Sequence, residues 1–359
     1  MQNFGISSYG MKVPFLRLPV NETVGSWKNN SVDLINNKIG VIRRAVLASD
    51  EDVLTLSVAA VKDALNIDID EVSGMVLGTS TAPDLLQSNA NQIMSFLTDS
   101  KNYIGFDVQA SENSGLCALL TGFGFVASHY CKHVCAIGAD CLSRHIFPSE
   151  LREPYMGAGA AAFLISTDKV IARYIDTASL NEHFPEQSRP EDERFIRVMA
   201  PLNSAVVQEG LVQQGSQAVR NLLKKNNLAI KDIDYFAFNQ VGENTPKQIA
   251  RFLGIQDKCI KDSKFASNTG DTGAASSLIS LQMILDKAKP NQKIVLCGYG
   301  HSTGATAILL ETTNELMEYR ELRKGTIEKI NDFQDINYVE AMKNEFKFVQ
   351  PGIALSTFL

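Results

Sequence analysis

No stretch of the 359 residues is apolar for long enough to cross a bilayer, and no basic, apolar leader opens the chain. A water-soluble, cytoplasmic protein is therefore expected. Basic runs are also missing: Lys and Arg are scattered singly, and 34 of them against 40 Asp and Glu leave a net charge of -6. Neither a nucleic-acid partner nor a membrane surface fits that balance. The six cysteines include no CxxC pair and sit mostly within apolar segments, so they read as reduced thiols. The run His129, Cys131, His133, Cys135 alternates ligand types, but it spans a helix end and a strand start, where the side chains diverge. No metal site is expected.

The most informative stretch is FDVQASENSGLCAL, from Phe106 to Leu119. It has the form of a short strand, a small-residue turn and the start of a long apolar helix. Such a turn places one side chain where unpaired backbone N–H groups and the helix dipole converge, a common position for a nucleophile. The residue in that position is Glu112. The simpler alternative is that Ser111 caps the helix and Glu112 is a first-turn acid favoured by the dipole.

Apolar spacing places a helix over VLTLSVAAVKDAL and another around NANQIMSFLTD, with strands at VSGMVLGTS, VCAIGADCLS and the run following YMGAG. Residues 181 to 193 are polar and contain proline, as an exposed loop does. The order then repeats. IDYFAFNQ answers VSGMVLGTS, the turn and helix of FASNTGDTGAASSLISLQMIL answer ASENSGLCALLTGFGFVASHY, and KIVLCGYGHS answers VCAIGADCLS. An offset of about 160 residues between matched features indicates a duplicated α/β unit. The halves are placed at residues 1–167 and 168–359, the second with a C-terminal extension. In such a pair the strand ends and helix starts of both halves form one shared site. Ser80, Glu112, Asn239, Asn268 and His301 are the polar residues at those ends. The glycine loop from Gly298 to Gly304 is not a dinucleotide fingerprint, because the apolar strand ATAILLE follows it where a helix is required.

The motifs GISSYGMKVPFLRL, DEDVLTLSVAA, DVQASENSG, AIGAD, YMGAGAAAFLI, SNTGDTGAAS and VLCGYGHSTGA occur in an order that resembles the thiolase superfamily. They are most similar to its branch of beta-ketoacyl-ACP synthase III and bacterial and archaeal HMG-CoA synthase-like proteins. The resemblance implies a thiolase fold, five αβαβα layers built from two pseudo-duplicated halves, with no cofactor and an acyl-CoA or acyl-carrier thioester as substrate. The tail NEFKFVQPGIALSTFL resembles the end of the synthase III-like subunit of the phloroglucinol acetyltransferase complex. That likeness implies a homodimer, a thiolase-type partner carrying the reactive cysteine, a small OB-fold subunit, and small-molecule acyl donors and acceptors.

The family's cysteine falls on Glu112, its histidine on Asn239 in AFNQVG, the acid of HMG-CoA synthases on Ser80 in LGTSTAP, and its asparagine on Asn268 in SNTG. Covalent thioester capture needs a thiolate, which Glu112 cannot supply, and Cys117 lies further along the helix. Two readings follow. In one, Glu112 and His301 deprotonate a phenol or enol while Asn239 and Asn268 hold an acyl oxygen and Ser80 and Gly300 contact substrate. In the other, the chain supports a catalytic partner without reacting itself. The simpler roles are local ring bonding for His301 and turn capping for both asparagines.

Overall fold

The computed structural model describes residues 4–184, 186–198, 208–321 and 323–348. The part of the tail from 349 onward, and the first residues expected to open the helix after 203, lie outside them. No helix among the described residues is long and apolar enough to cross a membrane.

The architecture follows from where the apolar runs have to be buried. Nine strands form one hydrogen-bonded sheet. Along it lie Tyr235–Phe238, Lys293–Gly300, Gly304–Thr312, Ala172–Leu180, Gly5–Lys12, Gly159–Ser166, Val134–Asp140, Gly74–Gly78 and Ile104–Val108. Within the sheet, the strands of the two halves pair where Gly5 and Ile6 meet Arg173 and Ala172. On each side of this seam the pairing is the same. Gly5–Lys12 runs antiparallel to Gly159–Ser166, which is antiparallel to Val134–Asp140, which is parallel to Gly74–Gly78. Ala172–Leu180 likewise runs antiparallel to Gly304–Thr312, then Lys293–Gly300 antiparallel and Tyr235–Phe238 parallel. The duplication read from the motifs is thus a repeated strand order.

Two helices fill the space between the half-sheets, Ser114–Ala127 and Ser276–Leu285, and every residue of the second is buried. A helix enclosed on all sides has to be apolar or small all round, as SSLISLQMIL is. The turn that opens it approaches the first helix so closely that a Cβ on Gly115 would lie 2.2 Å from the Ala274 carbonyl oxygen. Outside the sheets, the helix Val53–Ala64 packs on the first half, and Gly215–Lys225 and Thr245–Leu253 cover the second. Helix, sheet, central helices, sheet, helix make the five layers. Asp52 caps the Val53–Ala64 helix by accepting from the Thr55 N–H at 2.8 Å.

Candidate active site

The strand Ile104–Val108 ends in a tight turn, and the central helix starts at Ser114. Between them Ser111 adopts φ 52, the left-handed region that costs a β-carbon-bearing residue conformational energy. This strained turn directs Glu112 inward. The side chain is buried and lines a cavity of about 250 Å³ together with Ser80, Ser111, Gln187, Arg189 and His301. The expected cap is not formed. Ser111 Oγ instead accepts from the His301 N–H at 3.2 Å, which ties the first half's turn to the second half's glycine loop. Larger hollows of about 560 and 610 Å³ lie beside Asp63 and Asp262, and none of Ser80, Glu112, Asn239, Asn268 and His301 lines them.

His301 is the centre of the polar network. Its Nε2 is 3.3 Å from Glu112 Oε1, and its Nδ1 is 2.6 Å from Glu186 Oε2. Glu186 also accepts from the Tyr299 hydroxyl, and Gln187 Nε2 lies 2.7 Å from His301 Nε2. Burial disfavours the imidazolium, but the Glu112 charge and the bonds to Glu112 and Glu186 outweigh it and raise the His301 pKa to about 10. Burial, then the bond to Glu186, holds the Tyr299 phenol well above its usual range.

Behind the cavity, Asp140 closes the end of the strand Val134–Asp140 and is fully buried. It accepts from Thr79 Oγ1, Ser80 N, Ser80 Oγ, Thr81 Oγ1 and the Ala274 N–H, all at 2.8–3.0 Å. One carboxylate therefore joins the 79–81 turn of the first half to the turn opening the second half's central helix. Burial raises its pKa, and these donors pull it back part of the way. Asp271, also buried, is pushed well above the carboxylate range by burial and by the charge of Glu112.

The structure brings Glu112, His301 and Ser80 together around the cavity, but Ser80 is committed to Asp140 through both its N–H and its hydroxyl. Asn239 is not among the lining residues: its Oδ1 accepts from the Tyr299 N–H at 2.8 Å, and its Nδ2 is buried without a partner. Asn268 is held through its backbone carbonyl by Arg17 Nε at 2.6 Å, and Asp271, three residues on, is the group of that turn that feels Glu112 and His301. Gly300 serves close approach: a Cβ there would meet the Ala110 oxygen at 2.5 Å and Asn113 N at 2.8 Å. None of the six cysteines lines the cavity, and burial raises the Cys117 thiol. His133 bonds the Glu71 carbonyl through Nδ1, Cys131 lies against the Ser73 carbonyl, and Cys135 sits inside a strand.

The stretch from 181 to 193, expected as an exposed loop, supplies Glu186 and Gln187. Its charges and proline suggest solvation, but the partners that turn these two inward, His301 and Arg152, lie far off in sequence. The assembled groups can hold and transfer a proton at a small bound molecule, and they offer no thiol for acyl capture.

Comparison with known proteins agrees with this fold. Residues 223–312 match the family described as 3-Oxoacyl-[acyl-carrier-protein (ACP)] synthase III C terminal. The hydroxymethylglutaryl-CoA synthase of Methanopyrus kandleri is 27% identical over 352 residues, 97% of this chain and 99% of that protein. A crystal structure of HMG-CoA synthase complexed with CoA superposes with a TM-score of 0.84 at 18% identity, covering 97% of this chain and 92% of that one. The 3-oxoacyl-[acyl-carrier-protein] synthase III of Aquifex aeolicus gives 0.78 at 21% identity, covering 86% and 99%. Motif order, the repeated sheet and these likenesses show a thiolase fold, and the chain is similar to the branch of beta-ketoacyl-ACP synthase III and the HMG-CoA synthases.

Proposed function

We propose that the chain is a subunit of an acyltransferase that C-acylates a small aromatic, phloroglucinol-like acceptor. Glu112, paired with His301, acts as the base on that acceptor. The observation that carries this reading is the burial of Glu112 at the strained turn, on the cavity wall and in contact with a histidine that two carboxylates hold. A carboxylate kept only as a first-turn acid has no need of such a partner. The reaction removes a proton from a phenol or enol while a carbon–carbon bond forms at a thioester carbonyl and the thiolate leaves. The thioester is carried by CoA, by an acyl carrier or by a thiolase-type partner subunit, since no thiol of this chain faces the cavity. A small OB-fold subunit and a homodimer complete the proposed assembly. Among the described residues the edge strand Ile104–Val108 pairs on one side only, with Gly74–Gly78, which leaves an edge for a second copy.

A second reading, a silent subunit that supports a partner, is favoured by a different observation: Ser80 is committed to Asp140, and the Asn239 side-chain oxygen to the Tyr299 N–H. Reconstitution with a cysteine-bearing thiolase-type subunit separates the two. Loss of acyl transfer by about 10²-fold or more in Glu112→Gln, with folding and assembly intact, supports the base. Unchanged transfer assigns the chain the supporting role.

A further inference from the structure

The groups around His301 include one that simple acid–base pairing does not require. Gln187 Oε1 accepts from Arg152 Nη1, and the same amide's nitrogen lies 2.7 Å from His301 Nε2. A guanidinium has donors only, so the amide oxygen is committed to Arg152 and an N–H is left for the imidazole. Arg152 is itself fixed: it is 2% exposed, with Nε on Glu150 Oε2 at 2.8 Å and Nη2 toward the Ile196 carbonyl at 3.4 Å. An amide N–H bonds to Nε2 only while that nitrogen carries a lone pair. Yet Glu112 Oε1 is 3.3 Å from the same nitrogen. Two groups claim one atom. When Nε2 is protonated it donates to Glu112 and faces an N–H of Gln187. When it is not, Gln187 donates to it, and the proton sits on Glu112 or has left.

We propose that Gln187, anchored by Arg152, is a positioning residue that keeps a lone pair available at His301 Nε2, so that the proton shared with Glu112 can leave the imidazole instead of staying locked on it. The other groups around the ring mostly act the opposite way. Glu112 from the first turn and Glu186 from the mid-chain loop both draw the proton onto it. Asp271, from the turn before the second central helix, would do so only when ionised, which burial opposes. Tyr299, on the strand leading to His301, is neutral and spends its hydroxyl on Glu186. Arg189 lines the same cavity, and its positive charge disfavours a second one on the ring. Gln187 and Arg189 are thus the two neighbours that favour the uncharged imidazole, and Gln187 alone does so through a directed bond.

This inference rests on the reading of Glu112 as the base, but it is testable without substrate, so its failure is distinguishable from failure of the acyl-transfer reading. The full chain is prepared with ring-labelled histidine, the His301 signal is assigned from His301→Asn, and its protonation is followed by NMR. Losing one hydrogen bond to the neutral ring in Gln187→Leu raises the midpoint by about one pH unit. Gln187→Glu, which keeps the shape and a partner for Arg152, raises it further, because an acceptor then faces Nε2. If Gln187→Leu does not fold, Gln187→Glu carries the test by itself. A midpoint equal to or below that of the unaltered protein in either folded variant overturns the proposal.

Discussion

Glu186 Oε2 accepts from His301 Nδ1 at 2.6 Å and from the Tyr299 hydroxyl, so one oxygen on the mid-chain loop holds two side chains of the strand and loop at 299–301. The ring is thereby fixed with Nδ1 turned away from the cavity and Nε2 toward Glu112.

Replacing that carboxylate tests the electrostatics. In Glu186→Gln the pull on the imidazolium weakens, and the His301 midpoint falls from about 10 toward its ordinary 6.5. The consequence for stability has a definite sign. A histidine whose folded value is raised stabilises the protein fully below its unfolded value, and that contribution is lost as pH rises through the folded value. The window is therefore from 6.5 up to about 10. Urea unfolding measured across it should show stability declining with pH in the unaltered protein. The decline should be smaller in Glu186→Gln and absent, for this group, in His301→Asn.

The Glu112 position can be probed by giving it sulfur. A thiol placed there would lie beside a charged imidazole and near the start of the Ser114–Ala127 helix, both of which favour thiolate. Glu112→Cys should therefore react with iodoacetamide at near-neutral pH much faster than Cys117, whose thiol burial raises. Rates measured against pH, with peptide mapping of the labelled site, check this. Labelling confined to Cys117 and Cys259, the two half-buried native thiols, would mean that residue 112 does not face an open cavity.

Gly300 tests the closure between the halves. A methyl group there would lie 2.5 Å from the Ala110 oxygen and 2.8 Å from Asn113 N, both of them backbone atoms that cannot swing aside. Gly300→Ala should cost about 1–3 kcal/mol of stability, the usual range for overpacking. It should also reduce acyl transfer more than that loss explains, because the displaced turn carries Glu112. Chemical denaturation and assay of the folded fraction separate the two effects.

The sheet and the central helices are legible in the residues because they rest on local pattern: DVQASENSG and SNTGDTGAAS each show a strand, a small-residue turn and a helix start. Glu112 is legible for the same reason, since the turn itself puts residue 112 at the helix mouth. Glu186 and Gln187 are not. They lie in a polar, proline-containing stretch with no periodicity, and what turns them inward is contact with His301 and Arg152, 115 residues ahead and 35 behind. Asp140 stands in the sequence only as the last residue of the motif AIGAD, and its role depends on Ser80 and Ala274 arriving from two other segments. Motif position alone selects Asn268 where the fold brings Asp271 to Glu112, because the turn's direction is set by tertiary packing around Tyr155 and Gly157, which bond the Asp271 backbone.

The C-terminal segment anchors the loop that carries Gln187, and acid should release it. Glu345 and Arg44 are fully buried and form a bidentate pair at 2.9 and 3.1 Å, with Lys347 Nζ 3.2 Å from Glu345. Burial opposes ionisation of Glu345, but Arg44 and Lys347 prevail and lower its pKa to about 2. Arg194, on the stretch that follows Gln187, donates to the Glu345 and Phe346 carbonyls at 2.5 and 2.6 Å. A carboxylate with a depressed folded value stabilises the protein above its unfolded value, and the contribution is lost as pH falls through the folded one. The loss should run from 4.5 down to about 2. Glu345→Gln leaves Arg44 charged and buried without its partner, which costs about 3–5 kcal/mol at neutral pH. It should also flatten the acid limb of the stability curve and weaken the hold on Arg194. Denaturation from neutral pH down to the acid range, together with limited proteolysis between residues 186 and 198, measures both. An unchanged acid limb in the variant would show that the pair does not hold the segment.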